Sequence, residues 1–316
     1  MPYTDKGGKA LNYCDLHCDT PLELYLKGCG FDSDKLNVNL QGIRGFDRYV
    51  QLAAYCVPED MDSDEGFELF FKVNEIFTAE CEQNSFHICR CRDDIIASEA
   101  SPAFIRTVED ARILNGNITR LDSLYSTGVR VLTPLWGGET CIGGSHQSVL
   151  GLTDFGVEVI KRCCELGVIL DISHASFKSA DEILDICKTH GGAVMASHSC
   201  SYSINPHSRN ITDAHAKVVA DIGGVIGVNT FPPHLRGTSA DVSDVIRHIS
   251  HLISVAGEDH VAIGADFDGM GTFTTGLEEI GQIPDLLSEM KSAGFGEDLC
   301  EKILFTNAYR FLTENL

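Results

Sequence analysis

Short apolar runs rich in β-branched residues recur along the chain, and each is followed by a polar turn and a longer segment of helical spacing. Continuous apolar runs of this length are typical of parallel strands, because both faces of such a sheet are buried. We therefore predict eight strands, at residues 12–18, 49–57, 104–109, 130–135, 168–174, 193–198, 224–230 and 260–266.

Apolar residues at helical spacing fill several intervals between these runs, at residues 154–166, 179–189, 213–222, 241–256 and 284–293. The first of these helices stops before Gly167, which suits the left-handed position that ends many helices. Alternating strands and helices of this length indicate βαβ units, and eight units favour a closed (β/α)8 barrel, the TIM barrel. An open doubly wound sheet would place a GxGxxG turn after an early strand, whereas the first strand ends in HCDT.

The composition is that of an ordinary globular protein, with 43% hydrophobic and 22% charged residues in a chain of 316. No low-complexity segment or Pro/Gly linker divides the chain, so we expect a single barrel domain over residues 1–316. The 24 basic and 46 acidic residues give a formal net charge of -22. Such a surface repels phosphate backbones and anionic headgroups, so we expect neither nucleic acid nor a membrane as a partner.

The N-terminal residues MPYTDKGGKALNY lack the basic and apolar regions of a signal peptide, and the longest apolar runs are too short to span a bilayer. The thirteen cysteines include a CxC at Cys89 and Cys91 and an adjacent pair at Cys163 and Cys164, but not the paired CxxC of a structural zinc site. An odd count without an export signal predicts reduced thiols, mostly packing residues, and a cytoplasmic location.

Metal-ligating or titratable side chains stand at the C-terminal ends of five predicted strands. They are His17 and Asp19 on the first strand, Glu109 on the third, His174 on the fifth, His198 on the sixth and Asp266 on the eighth. Because the C-terminal ends of barrel strands meet at the face where barrel enzymes have their active sites, we expect these side chains to converge. His17 and Asp19 are two residues apart on an extended chain, so both can reach one cation.

Imidazole and carboxylate ligands together suit Zn²⁺. Three histidines, one aspartate and one glutamate are too many for one tetrahedral zinc that keeps a water, and they suit two ions roughly 3.5–4 Å apart that share a carboxylate. A water between such ions would be a hydroxide near neutral pH, and Asp266 is placed to carry the proton from this nucleophile to the leaving group. Asp171, close to His174, is expected to be a supporting or structural group.

Two other functions are compatible with this pattern. A different binuclear amidohydrolase would act on a cyclic amide, a lactone or a phosphoester, but many such enzymes bridge their metals with a carboxylated lysine on the fourth strand, and residues 130–135 contain no lysine. A metal-binding barrel without catalysis would act as a scaffold or a zinc reservoir, and it would not need a proton carrier such as Asp266. A single histidine at a strand end is more often structural, and HxD is a weak motif, so the interpretation rests on the joint pattern.

The ordered set of motifs resembles the membrane dipeptidase (renal dipeptidase) family, peptidase M19, as a bacterial-type member. The resemblance runs from about Tyr13 to the C-terminus and is carried by the HxD of the first strand, TVED, LDISHAS, MASHSCSYS followed by SRN, and GADFDG. It implies that His17 and Asp19 ligate one zinc, that His174 and His198 ligate the other, and that Glu109 bridges the two.

The same resemblance assigns the substrate-binding residues. It implies that Asp266 is the catalytic aspartate and that Arg209 binds the C-terminal carboxylate of a dipeptide, which a guanidinium fork can do with two hydrogen bonds. Tyr202 and Asn229 are expected to line the pocket. Family analogy also implies tolerance of a D-residue at the C-terminal position and a homodimer. Mn²⁺ or Fe²⁺ stays open as an alternative to zinc, since N and O ligands accept several metals.

The chain departs from the mammalian members at three points. Trp136 occupies the position of a histidine near the scissile carbonyl, and an indole N–H can donate a hydrogen bond but cannot take up a proton. A pocket tyrosine is replaced around Pro233 or His234. The signal peptide and lipid anchor of those enzymes are not found in this sequence, so we do not extend the word membrane to this protein.

Overall fold

A computed structural model of the protein describes residues 2–4, 10–98 and 101–316. Residues 1 and 5–9, on which the expected absence of a signal peptide partly rests, lie outside the described residues. The strands are Tyr13–Cys18 (β1), Tyr49–Cys56 (β2), His87–Cys89 (β3), Ala103–Glu109 (β4), Val129–Thr133 (β5), Ile169–Asp171 (β6), Val194–Met195 (β7), Ile226–Val228 (β8) and Val261–Ile263 (β9).

Helices follow most of the strands and surround them. They are Thr20–Lys27 (α1), Leu40–Ile43 (α2), Ser63–Gln83 (α3), Arg92–Ala97 (α4), Thr119–Ser126 (α5), Asp154–Leu166 (α6), Phe177–His190 (α7), Asp213–Asp221 (α8), Pro232–Leu235 (α9), Val242–Ala256 (α10), Ile283–Ser292 (α11), Glu297–Glu301 (α12) and Asn307–Asn315 (α13). Short 3₁₀ turns lie at Ala111–Leu114, Glu258–His260 and Ile280–Gln282, and a π-helical turn at Lys302–Thr306 joins α12 to α13. The five predicted helices are confirmed to within two residues at each end.

The strands form a parallel barrel. Their order is β7-β6-β5-β4-β2-β1-β9-β8, and a parallel bridge between Ala196 and Ile226 joins the two ends of this series. The predicted (β/α)8 fold is therefore confirmed, with all eight predicted strands present. The additional strand β3 lies outside this order and pairs in parallel with β4. Its three residues, His87–Cys89, lie in a connection that we predicted only as a long loop, and so short a run gives no clear period.

Alternate strand residues point inward and fill the barrel with apolar side chains, as expected of this fold. These inward residues include Cys14, Leu16, Leu52, Ile105, Val131, Ile169, Met195 and Ala262. The C-terminal helical segment packs against the N-terminal end of the barrel, where Phe305, Ala308, Phe311 and Leu312 share one buried cluster with the inward strand residues and Asn307 donates a hydrogen bond to the carbonyl of Val261. The interior is thus sealed at that end, and the opposite mouth is left for polar groups.

Candidate active site

Polar side chains surround a cavity of about 400 Å³ at the C-terminal mouth of the barrel. The residues that line it are Asp19, Leu22, Glu23, Cys56, Glu109, Trp136, Gly137, His146, Gln147, His174, Arg209, Phe231, His234, Asp266, Asp268, Gly269 and Met270. Most of them follow the ends of strands or belong to the loops between residues 136 and 153 and after β8 and β9. This is the face on which barrel enzymes carry their active sites.

Glu109, the last residue of β4, lies between the three predicted histidine ligands. Its Oε1 lies 3.0 Å from Nε2 of His174 and 3.4 Å from Nε2 of His198, whereas its Oε2 lies 3.7 Å from Nε2 of His17. Asp19 is on the His17 side, with Oδ2 3.6 Å from His17 Nε2. The five side chains, from the ends of four strands, are therefore brought together, and the two oxygens of one carboxylate face different histidines.

Several donor atoms of this group form no hydrogen bond with the residues that the structure describes. Among the described residues, both ring nitrogens of His17, Oδ1 of Asp19, Oε1 of Glu109 and Nδ1 of His174 are buried without a hydrogen bond. Burial disfavours a charged His17, yet the neighbouring carboxylates, Glu109 first and then Asp19 and Asp266, raise its pKa to about 10. Unpaired buried polar atoms are rare in folded proteins, so the excess of negative charge and free lone pairs here fits a bound cation.

Asp171 fixes the two loops that carry His174 and His198. Its Oδ1 accepts hydrogen bonds from the backbone N–H of Ser173 and of Ser197, at 2.9 and 2.8 Å. Its Oδ2 accepts from the Ser197 hydroxyl at 2.5 Å, and Ser197 Oγ lies 2.6 Å from Nδ1 of His198. Because the hydroxyl donates to Asp171, it accepts from Nδ1–H of His198, and the lone pair of Nε2 is left facing Glu109. This is the support that metal-binding histidines usually have.

Three non-glycine residues of the site have left-handed backbone conformations. The φ angles of His174, Asp266 and Asp268 are all 66°. Such conformations cost about 1–3 kcal/mol in non-glycine residues and cluster at functional sites. They also explain why β6 and β9 are shorter than predicted, since the chain turns out of the sheet before His174 and Asp266 and directs these side chains into the mouth.

Asp266 lies beside the predicted metal ligands and is held by Asn229. Its Oδ1 is 3.9 Å from Nε2 of His17, and its Oδ2 accepts a hydrogen bond of 2.9 Å from Nδ2 of Asn229. Burial raises the pKa of Asp266 to about 7, helped by the charges of Asp19 and Glu109 and opposed by His17. A carboxyl group with a pKa near 7 can both take up and release a proton, as acid–base catalysis requires.

Arg209 brings a buried positive charge to the opposite side of the cavity. The residue is only 3% exposed, and its Nη1 donates a hydrogen bond of 3.0 Å to the Ser199 hydroxyl. Its Nε and Nη2 are buried and have no hydrogen-bond partner among the described residues. A buried guanidinium is normally paired with an anion, so a negatively charged ligand group fits at this position.

The other predicted pocket residues differ in position. Trp136 lines the cavity, and its ring centroid lies 6.1 Å from that of His174. Asn229 is not among the lining residues but touches the site through Asp266. Tyr202 is not among them either, because its ring packs edge-on against Phe177, with 5.5 Å between centroids. Neither Asn229 nor Tyr202 is thus among the residues that line this cavity, and their place in the substrate pocket stays a prediction.

Sequence reasoning missed three groups in the cavity wall. His146 comes from the glycine-rich loop after β5, where its Nδ1 lies 3.1 Å from Ser208 Oγ, and burial and the charge of Arg209 lower its pKa to about 4. His234 was named only as a replaced position, and it lines the cavity near Phe231. Cys56, the last residue of β2, also faces the cavity. The available signal was position alone, since Cys56 lies at the end of a predicted strand and His146 and His234 lie in the segments that follow predicted strands.

The helices of the described residues bear on whether the chain can cross a membrane. None of those helices combines the length and the apolar character needed to cross a bilayer.

All thirteen cysteines are free thiols, as predicted.

The sequence is similar to a known protein family and to individual proteins. A family model for membrane dipeptidase, peptidase family M19, matches residues 8–315. An uncharacterized protein in the pqqA 5′ region of Klebsiella pneumoniae is 32% identical over 236 residues, which is 71% of this chain and 84% of that protein. An uncharacterized dipeptidase of Schizosaccharomyces pombe is 31% identical over 219 residues, which is 66% of this chain but only 52% of that relative.

Solved structures resemble the whole chain. A metallopeptidase of family M19, dipeptidase AC, has a TM-score of 0.88 at 24% identity, covering 97% of this chain and 99% of that one. A metallopeptidase from Rhodobacter sphaeroides, solved with a phosphinate mimic of the dipeptide L-Ala-D-Ala, also has a TM-score of 0.88, at 23% identity, covering 98% of this chain and 100% of that one. Likeness at such identities establishes a common fold.

Proposed function

The chain belongs to the membrane dipeptidase family, peptidase family M19, and on that premise we propose that it hydrolyses the peptide bond of dipeptides at a pair of zinc ions. Membership makes the protein a metallodipeptidase, a hydrolase that acts on dipeptides. The identity and number of the metal ions, the stereochemistry of the substrate and the roles of single residues are our proposals.

The position of Glu109 is the observation that carries the proposal of two ions. One of its oxygens faces His174 and His198, and the other faces His17, which lies beside Asp19. A carboxylate with its two oxygens directed to two separate sets of ligands is placed to bridge two metal ions. His17 and Asp19 would hold one ion, and His174 and His198 would hold the other.

Zinc is the metal that we propose for both positions. The donors are imidazole nitrogens and carboxylate oxygens, which Zn²⁺ accepts readily, although Mn²⁺ and Fe²⁺ accept them as well. Burial lowers the pKa of both His174 and His198 well below the ordinary value, so their imidazoles are available as neutral ligands. When bound, the metal ions would polarise the scissile carbonyl and lower the pKa of a water molecule to near neutrality.

Arg209 would bind the free carboxylate of the substrate's C-terminal residue. The unpaired Nε and Nη2 can form two parallel hydrogen bonds with one carboxylate. A cavity of about 400 Å³ has room for a small ligand. A longer peptide would have no free carboxylate at this point, so the arrangement favours dipeptides.

Asp266 would move the proton during hydrolysis. Its Oδ1 lies on the side of His17, where the attacking water must be, and its Oδ2 is held by Asn229. Asp266 would take the proton from the water as it attacks the carbonyl carbon and give it to the nitrogen of the departing amine when the C–N bond breaks. The two transfers leave Asp266 as it began and release a free carboxylic acid and a free amine.

Three further proposals concern the stereochemistry of the substrate, the location of the protein and its oligomeric state. A D-residue would be accepted at the C-terminal position, because Arg209 would bind the carboxylate group, which both configurations have. The thirteen free thiols support a location of the protein in the reducing cytoplasm. The homodimer stays a prediction.

The test is a substrate panel combined with metal removal. Purified protein should hydrolyse L-Ala-L-Ala and L-Ala-D-Ala, lose this activity on dialysis against a chelator, and regain it with Zn²⁺. Full activity of the metal-free protein would contradict the proposal. Turnover of lactones, cyclic amides or phosphoesters without turnover of dipeptides would favour another amidohydrolase, and bound metal without any turnover would favour a metal-binding scaffold.

A further inference from the structure

Cys56 lies next to the proposed metal ligands on the adjacent strand. It ends β2 and is the direct partner of Glu109 in the parallel pairing of β2 with β4. Its Sγ, together with a carboxylate oxygen of Asp19 and one of Glu109, forms a set of donor atoms that all lie within 4.8 Å of one another. Of the described residues that line the cavity, Cys56 alone carries a thiol.

The two carboxylates of this set are short of partners. Oδ1 of Asp19 and Oε1 of Glu109 are buried and form no hydrogen bond with any described residue, and the two residues are 6% and 2% exposed. The thiol has a weak contact with the carbonyl oxygen of Val57, at 4.0 Å from Sγ, and it also interacts with the carboxylate of Glu109. Two buried carboxylates, each with one oxygen that lacks a hydrogen bond, and a thiol at this spacing form a set of atoms that a divalent cation can satisfy together.

We propose that Cys56 provides a sulfur ligand to the metal ion held by His17 and Asp19. The inference rests on the proposed metal site. It adds a sulfur ligand to a site whose other proposed ligands are nitrogen and oxygen atoms. Two ligands of one tetrahedral zinc ion, a thiolate at about 2.3 Å and a carboxylate oxygen at about 2.1 Å, lie about 3.6 Å apart. The donor atoms lie within 4.8 Å of one another, and a side-chain rotation can bring the sulfur and the carboxylate oxygen to that distance.

A sulfur donor would make the two metal positions different. The ion beside His17 would have nitrogen, oxygen and sulfur ligands, whereas the ion beside His174 and His198 would have only nitrogen and oxygen ligands. Thiolate is a soft ligand, which favours Zn²⁺, Cd²⁺ and Co²⁺ over Mn²⁺ and Mg²⁺ at the first position. On binding, the sulfur–metal bond forms and the thiol proton leaves to solvent.

Cobalt spectroscopy tests this inference without an activity assay. Metal-free full-length protein is titrated with Co²⁺, and the absorption spectrum and the bound cobalt are measured for the wild type, Cys56→Ser and Cys29→Ser. Cys29 is a matched control, because it is also a half-buried thiol but is not among the residues that line the cavity. We expect a near-ultraviolet sulfur-to-cobalt charge-transfer band in the wild type and in Cys29→Ser, and its loss in Cys56→Ser, with the visible ligand-field bands retained.

The other outcomes separate this inference from the proposed function. Bound cobalt with ligand-field bands but no charge-transfer band in the wild type would overturn the sulfur ligand and leave the dipeptidase site intact. A charge-transfer band that persists in Cys56→Ser would assign the sulfur to another cysteine and overturn it as well. Failure of the wild type to bind cobalt at all would overturn the metal site and the sulfur ligand with it.

A second measurement uses only the wild-type protein, so its result does not depend on whether Cys56→Ser folds. The ¹¹³Cd NMR spectrum of the wild-type protein reports sulfur in the donor set by a large downfield shift of one resonance. We expect two bound cadmium resonances, one of them shifted in this way. Two resonances that both lie in the range of purely N/O ligands would overturn the inference.

Discussion

Asn229 donates a hydrogen bond of 2.9 Å from its Nδ2 to Oδ2 of Asp266, while the other oxygen of that carboxylate lies 3.9 Å from His17 Nε2. Asn229 is itself fixed, because its Oδ1 accepts a hydrogen bond of 2.5 Å from the backbone N–H of Phe231. One oxygen of Asp266 is therefore anchored by the protein and the other is directed at the proposed metal site, which orients a single oxygen for proton transfer.

Removal of the Asn229 amide should impair catalysis without abolishing it. A hydrogen bond to a charged group contributes about 1.5–3 kcal/mol, so Asn229→Ala should lower kcat by about 10- to 100-fold through misorientation of Asp266, with bound metal unchanged. Asn229→Asp is the matched variant, since its carboxylate still accepts from Phe231 but faces Asp266 with a like charge. Steady-state kinetics on L-Ala-D-Ala would measure both, and wild-type kcat in Asn229→Ala would show that Asp266 needs no anchor.

Asp266→Asn should remove proton transfer and leave substrate binding almost intact. General acid–base catalysis contributes about 10²–10⁴-fold, so kcat should fall by that factor while KM changes little. The amide has nearly the same shape as the carboxylate, and metal content measured by mass spectrometry serves as the control. An unchanged kcat in fully metal-loaded protein would rule out Asp266 as the proton carrier.

Arg209→Met should weaken the binding of free carboxylates specifically. The variant keeps much of the buried volume but has no charge, so kcat/KM for a dipeptide should fall by about 10- to 100-fold, the effect of about 1.5–3 kcal/mol. The dipeptide amide, in which the C-terminal carboxylate is neutralised, provides a control within the same protein. It should be a poor substrate of both the wild type and the variant, and a similar loss for both substrates would indicate a structural role for Arg209.

The sequence predicted the barrel and the five proposed ligands because both follow from local patterns. Each strand is a continuous apolar run, and His17, Glu109 and His198 each stand where such a run ends. Parallel strands that begin at one end of the barrel must also finish at one face. A position at a strand end therefore implies proximity in space, and no further information was needed to bring these residues together.

The remaining parts of the site depend on contacts between segments that no local pattern reveals. In the sequence, Cys56 cannot be distinguished from the packing cysteines. Only the register of β2 and β4 shows that it lies beside Glu109. His146 comes from a loop whose path the sequence does not determine, and its backbone N–H donates to the carbonyl of His174. Tyr202 follows a metal-binding motif closely, yet its ring packs against α7 at Phe177. Positions in loops were the hardest to predict, since their direction depends on turns such as those at positive φ.

Asp171 provides the last prediction, because its one carboxylate supports two proposed ligands at once. Asp171→Asn replaces an oxygen that accepts hydrogen bonds from Ser197 Oγ and Thr133 Oγ1, at 2.5 and 2.8 Å, by an amide that can only donate. The variant should lose about 2–3 kcal/mol of unfolding free energy, the value of charge-assisted hydrogen bonds. Metal affinity should also fall by about 10- to 100-fold, since His198 loses the group that orients its ring.

Urea unfolding of the metal-free protein would measure the first effect, and titration against a competing chelator the second. Asp185→Asn on the exposed side of α7 is a suitable control, and it should change neither quantity. The two measurements distinguish two roles of Asp171. A loss of stability with unchanged metal affinity would mean that Asp171 only joins β6 to β7, because the histidines would then be oriented by other contacts. A parallel loss of both would mean that the buried carboxylate holds the strand ends and the ligands as one unit.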